Sequence, residues 1–245
     1  MATSRTLAWF SCGAASAVAS HLAIKKYGDA CLVVYCDTMA TEHPDNERFF
    51  QDVQRWLGRE IMRLRSDKYA TVDEVFERTG YMAGIYGARC TVEMKKMPRF
   101  AFQDPSDIHV FGLTAEETQR IQRMREANPE LHLDFVLADA GYSKADCLQV
   151  VSDAGIALPV MYRLGYKNNN CLGCVKATSA RYWNMIRRDF PDVFARRAQQ
   201  SRALGVRLTR LYGERVFLDE LPADYMPSEP IENISCGPDC TWTPS

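Results

Sequence analysis

The 245-residue chain has no apolar run long enough to cross a bilayer and no signal-type hydrophobic region near its start. A cytoplasmic protein with no membrane contact is therefore expected. It has almost no net charge, −1, which excludes a uniformly basic nucleic-acid binder. It has no internal repeat, low-complexity block or evident linker, so a solenoid or a string of modules is excluded too. Without a secretion signal, nine cysteines are hard to read as a disulfide framework, and metal binding or redox chemistry suits them better. With 47% hydrophobic and 25% charged residues, the composition is that of a globular protein with one sizeable core.

The most informative stretch is Phe10-Ser11-Cys12-Gly13-Ala14-Ala15-Ser16. Thr6 to Phe10 reads as a buried strand, and Ala17 to Tyr27 as a helix stopped by Gly28. Small residues between a strand and a helix leave amides free to meet an anion at the positive helix end. The same residues also suit a plain tight turn. Further strands are expected at Cys31–Tyr35, at Glu60–Leu64, at Ile108–Gly112 and at Leu133–Leu137. Helices are expected after Pro44 up to Gly58, after Thr71, from Thr114 to about Ala127, and from Ser143 through Asp153. This alternation predicts an α/β fold, a Rossmann-like open and mainly parallel five-stranded sheet with helices on both faces. Ser11–Ser16, Asp37 and Gly112 all fall at C-terminal strand ends, where such sheets bind ligands.

The loop has no Gly-Lys-Ser/Thr and is not a Walker A motif, which turns attention from γ-phosphate transfer to cleavage between the α- and β-phosphates. Arg89, Lys95, Lys96 and a bound Mg²⁺ are candidates to neutralise a polyphosphate there. Asp37 is a candidate for the metal or the ribose, or else the cap of its own turn.

These residues resemble the phosphoadenylylsulfate reductase family of the adenine-nucleotide α-hydrolase superfamily, which includes N-type ATP pyrophosphatases. Its Ser-Gly-Gly-x-Asp-Ser loop matches Ser11, Gly13 and Ser16, while Cys12, Ala14 and Ala15 depart from it, Ala15 standing where the Asp is usual. Cys36-Asp37-Thr38 is similar to the family's second-strand Asp-Thr. Arg89-Cys90-Thr91 with Lys95, Lys96 and Pro98 is similar to its Cys-Thr-x-x-Lys-x-x-Pro. Phe111-Gly112-Leu113-Thr114 is similar to its second nucleotide strand, without the Arg often found after that Gly. The resemblance runs from about Leu7 to Asp192. It implies a nucleotide-binding domain over 1–165, with Ser11 to Ser16, Asp37, Thr38, Gly112 and Thr114 around ATP. A C-terminal extension over 166–245 is expected to pack on that domain.

The resemblance also bears on the cysteines. A 4Fe–4S cluster on Cys90, Cys171, Cys174 and Cys240 (or Cys236) is one expectation, with zinc or no metal as alternatives. Cys31, Cys36 and Cys147 are expected in the core. The tail Ser235-Cys236-Gly237-Pro238-Asp239-Cys240 lacks the Glu and His of the reductases' C-terminal motif. The favoured expectation is thus an ATP pyrophosphatase that adenylates a nucleic-acid acceptor for sulfur incorporation, similar to that component of DNA phosphorothioation systems and working with protein partners. Sulfonucleotide reduction, tRNA thiolation and a non-catalytic nucleotide-binding subunit are the alternatives. Between Lys176 and Arg215 there are ten Lys/Arg against three Asp/Glu, on two expected helices, Lys176–Asp189 and Pro191–Leu204. This segment suits nucleic-acid contact, a solvated face or a homodimer interface.

Overall fold

The computed structural model describes residues 4–84, 87–228 and 234. Five strands form one all-parallel sheet: β1 (Thr6–Phe10), β2 (Cys31–Cys36), β3 (Ile61–Leu64), β4 (Ile108–Phe111) and β5 (His132–Asp134), in the order β3-β2-β1-β4-β5. The strand order reverses beside β1, so the crevice of this sheet lies between the ends of β1 and β4.

Alternation along β1 explains the two layers. Ala8 and Phe10 face a core shared with helix α1 (Ala14–Tyr27), helix α2 (Asp45–Leu57) and, through Cys147 and Val151, a later helix. Leu7 and Trp9 face the other side, with Phe111, Ile121, Met124 and Phe135. Helix α1 is buried through small residues, Ala14, Ala17, Ala19 and Ala23, which let its backbone lie close on the sheet. Helix α2 closes at Gly58, whose φ of 63° is the left-handed conformation that glycine adopts freely.

Helix α3 (Val72–Thr79) starts at Thr71, whose hydroxyl accepts from the Glu74 amide. After it, residues 89–102 form one helical run, α4, containing a five-residue π turn at Val92–Lys96. Helix α5 (Thr118–Ala127) begins three residues later than a cap at Thr114 would place it, with Glu117 in the cap position. Thr114 and Glu117 do pair, but inside a turn: the Glu117 carboxylate accepts from the Thr114 amide at 3.0 Å, and Ala115 bonds to Tyr142 instead of opening a helix. The expected strand Leu133–Leu137 is shorter than its apolar run, because Val136–Asp139 coils into a helical turn. Short apolar runs satisfy both patterns, and burial of Phe135, Val136 and Leu137 is met either way. Helix α6 (Lys144–Asp153) has the expected Ser143 cap, completed by Asp146.

The C-terminal extension contains helix α7 (Ala180–Asp189), capped by Ser179, and helix α8 (Pro191–Ala203). A hairpin, Thr209–Leu211 with Glu214–Val216, turns at Tyr212 and Gly213 as expected. The core of the extension centres on fully buried Trp183 and draws in Val72, Phe76 and Met94 from the first 165 residues. Its arginines act as internal staples. Arg197, 1% exposed, pairs with Asp73 and donates to the Gly173 carbonyl at 3.1 Å. Arg187 donates to the carbonyls of Leu218 and Leu221, and Arg202 pairs with Asp219 and Glu220. Much of the basic segment is therefore spent on tertiary structure.

Between the sheet and α4 lies a buried imidazole. His109 accepts from the Trp9 indole at Nδ1 (3.1 Å), while its Nε2 is buried without a hydrogen-bond partner among the described residues. Burial, reinforced by Arg99, lowers its pKa to about 4. The unfolded chain therefore takes up this proton below its ordinary pKa and the folded chain does so only near 4. Stability should fall as pH drops from about 6.5 to about 4, by roughly 3 kcal/mol for this group. Urea melts of wild type and His109→Gln across that range test it: the variant should show a shallower loss by about that amount.

Candidate active site

The crevice at the β1/β4 switch point is a cavity of about 230 Å³. Ser11, Gly13, Ala15 and Ser16 line one side, and Gly112 and Thr114 the other. Six of the expected nucleotide-binding residues thus meet in one cavity. Ser11 leaves β1, Cys12 takes the left-handed conformation (φ 58°), and Gly13 in extended conformation precedes α1. The Ser16 hydroxyl sits at the centre of this bend. It accepts from the Ser11 amide at 3.0 Å and from the Gly13 amide at 3.4 Å, and donates to the Gly13 carbonyl at 2.9 Å. The Ser11 and Gly13 amides are thus engaged within the bend, while the start of α1, whose first-turn amides no helix satisfies internally, borders the cavity at Ala15 and Ser16.

Gly112 allows the two halves to close on each other. A Cβ there would lie 2.7 Å from Ser16 Cα and 2.8 Å from its amide nitrogen, both backbone atoms with no room to yield. Its role is therefore the close approach of β4 to the N-terminus of α1. Cys12 and Ala14, expected around the nucleotide, form the buried back of the bend rather than its lining. The Cys12 thiol lies 3.4 Å from the Asn46 carbonyl, and burial raises its pKa well above the ordinary thiol value.

Of the expected cations, Lys95 lines the cavity. It is carried there by the π turn in α4, a helical defect that recurs at functional sites because it re-aims side chains. Arg89 and Lys96 do not line the cavity: Arg89 pairs with Glu93 at 2.7 Å, and Lys96 is 2% exposed in the interior. Asp37 also lies elsewhere. Its carboxylate meets Arg65 at 3.0 Å and Arg63 at 3.9 Å, and accepts from the Met39 amide as a turn cap. Thr38 is buried and donates to Glu42. The turn-cap reading of Asp37 is the one that the geometry supports, and a role on ribose or metal is not.

Sequence reasoning missed several residues of the far wall. Lys144, at the first position of α6, lines the cavity and donates to Asn168 Oδ1 at 2.5 Å; burial lowers its pKa. Arg120 on α5 and Glu117 just before it, which pair with each other, line it as well. The Tyr162 hydroxyl lies 3.4 Å from the Ala14 amide, and burial pushes its pKa up to about 12. Asn168, Asn169 and Asn170 complete the wall. Only the polar Asn-Asn-Asn turn carried a signal in the sequence; the others are single residues on ordinary helices.

Cys171 lines the same cavity, half-buried, with the Thr41 hydroxyl 3.3 Å from its sulfur. Cys174 is buried, and Cys90 is half-buried against the second core. Among the described residues no three His, Cys, Asp or Glu side chains converge closely enough to hold a metal ion. Cys90, Cys171 and Cys174 belong to no such group among the described residues, and the other expected ligands, Cys236 and Cys240, lie outside them. Cys31, Cys36 and Cys147 are core residues as expected, with thiol pKa values raised by burial to about 11, 12 and 12. Among the described residues no helix is long and apolar enough to cross a membrane.

Compared with known proteins, the sequence matches no family model and no curated protein.

Two outcomes test this geometry. Gly112→Ala should cost about 2–3 kcal/mol in a denaturant melt, since the methyl group meets backbone; an unchanged midpoint would contradict the close approach. In the native protein, iodoacetamide followed by mass spectrometry should label Cys90 and Cys171 ahead of the buried thiols. Added ATP should protect Cys171 and leave Cys90 reactive.

Proposed function

We propose that this protein is an ATP pyrophosphatase that cleaves ATP to AMP and pyrophosphate and transfers the adenylyl group to an acceptor. The observation that carries this reading is the single cavity in which the Ser11–Ser16 bend, Gly112 and Lys95 meet. The two terminal phosphates lie in the bend against its amides and the end of α1. An acceptor oxygen attacks the α-phosphorus as the bond from that phosphorus to the α,β-bridging oxygen breaks. Pyrophosphate leaves with the electron pair, and its growing charge is met by the amides and by Lys95, Arg120 and Lys144. No Walker-type lysine is present to favour attack at the γ-phosphate.

The half-buried Cys171 thiol in the same cavity supports use of the activated acceptor for sulfur incorporation. A nucleic-acid acceptor remains part of this proposal, as do Mg²⁺ and protein partners. The internal pairing of Arg187, Arg197 and Arg202 moves the expected contact surface away from those residues and toward the cavity rim.

The test is the fate of α-labelled ATP incubated with Mg²⁺ and DNA or tRNA. Label should appear as AMP or as an adenylylated acceptor, with one pyrophosphate released for each. Lys95→Ala should lower the rate by about 100-fold or more. Formation of ADP and orthophosphate would overturn the reading.

A further inference from the structure

One buried carboxylate on the cavity wall forms no ion pair among the described residues. Glu42, in the loop between β2 and α2, is 7% exposed and lines the cavity. Its Oε1 accepts from the Tyr35 hydroxyl at 2.9 Å and the Thr38 hydroxyl at 2.6 Å, and its Oε2 accepts from Asn46 Nδ2 at 2.7 Å. All three donors are neutral, and among the described residues no Lys, Arg or His forms an ion pair with it. A buried charge is ordinarily paired or bound to a metal.

A second oxygen in the same wall lacks a partner. Asn169 is 6% exposed and lines the cavity, and its Oδ1 is buried with no hydrogen bond among the described residues. The amide cannot simply be turned over. Its Nδ2 donates to the Cys12 carbonyl at 2.6 Å and to Asn46 Oδ1 at 2.9 Å, and the carbonyl accepts only from a donor. The chemistry therefore fixes Oδ1 as the unfilled acceptor. Asn46 bridges Asn169 to Glu42, so the two oxygens belong to one hydrogen-bond network that also holds the Cys12 carbonyl.

We propose that Glu42 and Asn169 supply the protein oxygens of a Mg²⁺ site that is completed by the polyphosphate in the Ser11–Ser16 bend. This rests on the nucleotide site proposed above. A carboxylate and an amide oxygen are hard donors that suit Mg²⁺ and not a thiophilic metal. Two protein ligands do not make a standing six-ligand site, but Mg²⁺ commonly uses one or two side chains together with phosphates and waters. Ala15 brings no carboxylate to the bend, and Asp37 is engaged with Arg65, so Glu42 supplies the acidic ligand from the neighbouring loop.

The test uses Mn²⁺ as a paramagnetic probe, with free Mn²⁺ read by electron paramagnetic resonance in the presence of α,β-methylene-ATP or, separately, pyrophosphate. Wild type should take up one Mn²⁺ per chain when either probe is present. Glu42→Gln, which keeps the shape of the side chain, should weaken Mn²⁺ binding at least about tenfold, and Asn169→Ala should weaken it too. No Mn²⁺ uptake by wild type with either probe would overturn the assignment. Unchanged Mn²⁺ affinity in Glu42→Gln would do so as well. Pyrophosphate release from ATP is measured separately. Release with unchanged Mn²⁺ affinity in Glu42→Gln removes the metal site and leaves the activity, whereas Mn²⁺ uptake with formation of ADP does the reverse.

Discussion

The structure depends on backbone meeting backbone where β4 ends against the start of α1. Gly112 has no Cβ, and this absence lets the Ser16 backbone approach to a distance that a methyl group would fill. The approach fixes the N-terminus of α1 over the sheet at the point where strand order reverses. Every other feature of the cavity is arranged around that fixed end. An α/β sheet of this order offers one such point, and a helix end held there presents its unpaired amides to whatever enters.

The bend before α1 carries strain that the surroundings offset. Cys12 in the left-handed region costs about 1–2 kcal/mol relative to an extended residue. Its side chain is fully buried, and its carbonyl is held by Asn169, more than a hundred and fifty positions along the chain. The C-terminal extension therefore shapes the cavity from behind: its polar turn reaches into the bend, and the Trp183 core and the Arg197 staple hold it against α3. This makes the extension part of the site. Removing it would leave the Cys12 carbonyl and Asn46 without the amide that ties them together.

Much of the architecture is legible in the residues because it follows from local rules. The apolar run Cys31–Tyr35, the Gly58 and Gly28 stops and the Ser143 cap each state their structure within a few positions. The same holds for the bend as a tight strand-to-helix turn, since small residues between a strand and a helix mark such a connection. What could not be read are the choices made by tertiary contact. Asp37 sits at a strand end, as a ligand residue would, yet Arg65 on the neighbouring segment captures it. Lys95 and Lys96 are adjacent in sequence and alike in chemistry, and only the π turn decides that one faces the cavity and the other the interior. Glu42 carries no pattern and Asn169 only that of a polar turn; a buried network of long sequence separation joins them. The arginine-rich segment misled in the opposite sense, because charge along a helix does not tell whether the partner is a phosphate or the protein's own carbonyls.

The central claim is that the amides of the β1–α1 bend receive the terminal phosphates of a nucleotide. It is tested most directly by following backbone amide resonances while pyrophosphate is added to the ¹⁵N-labelled protein. The account predicts that the largest shifts fall on Ser11, Gly13, Ala15 and Ser16, with Gly112 following as their close neighbour. Shifts confined to another surface, such as the groove beside Met62 and Met97 along β3, with the bend unmoved, would contradict it.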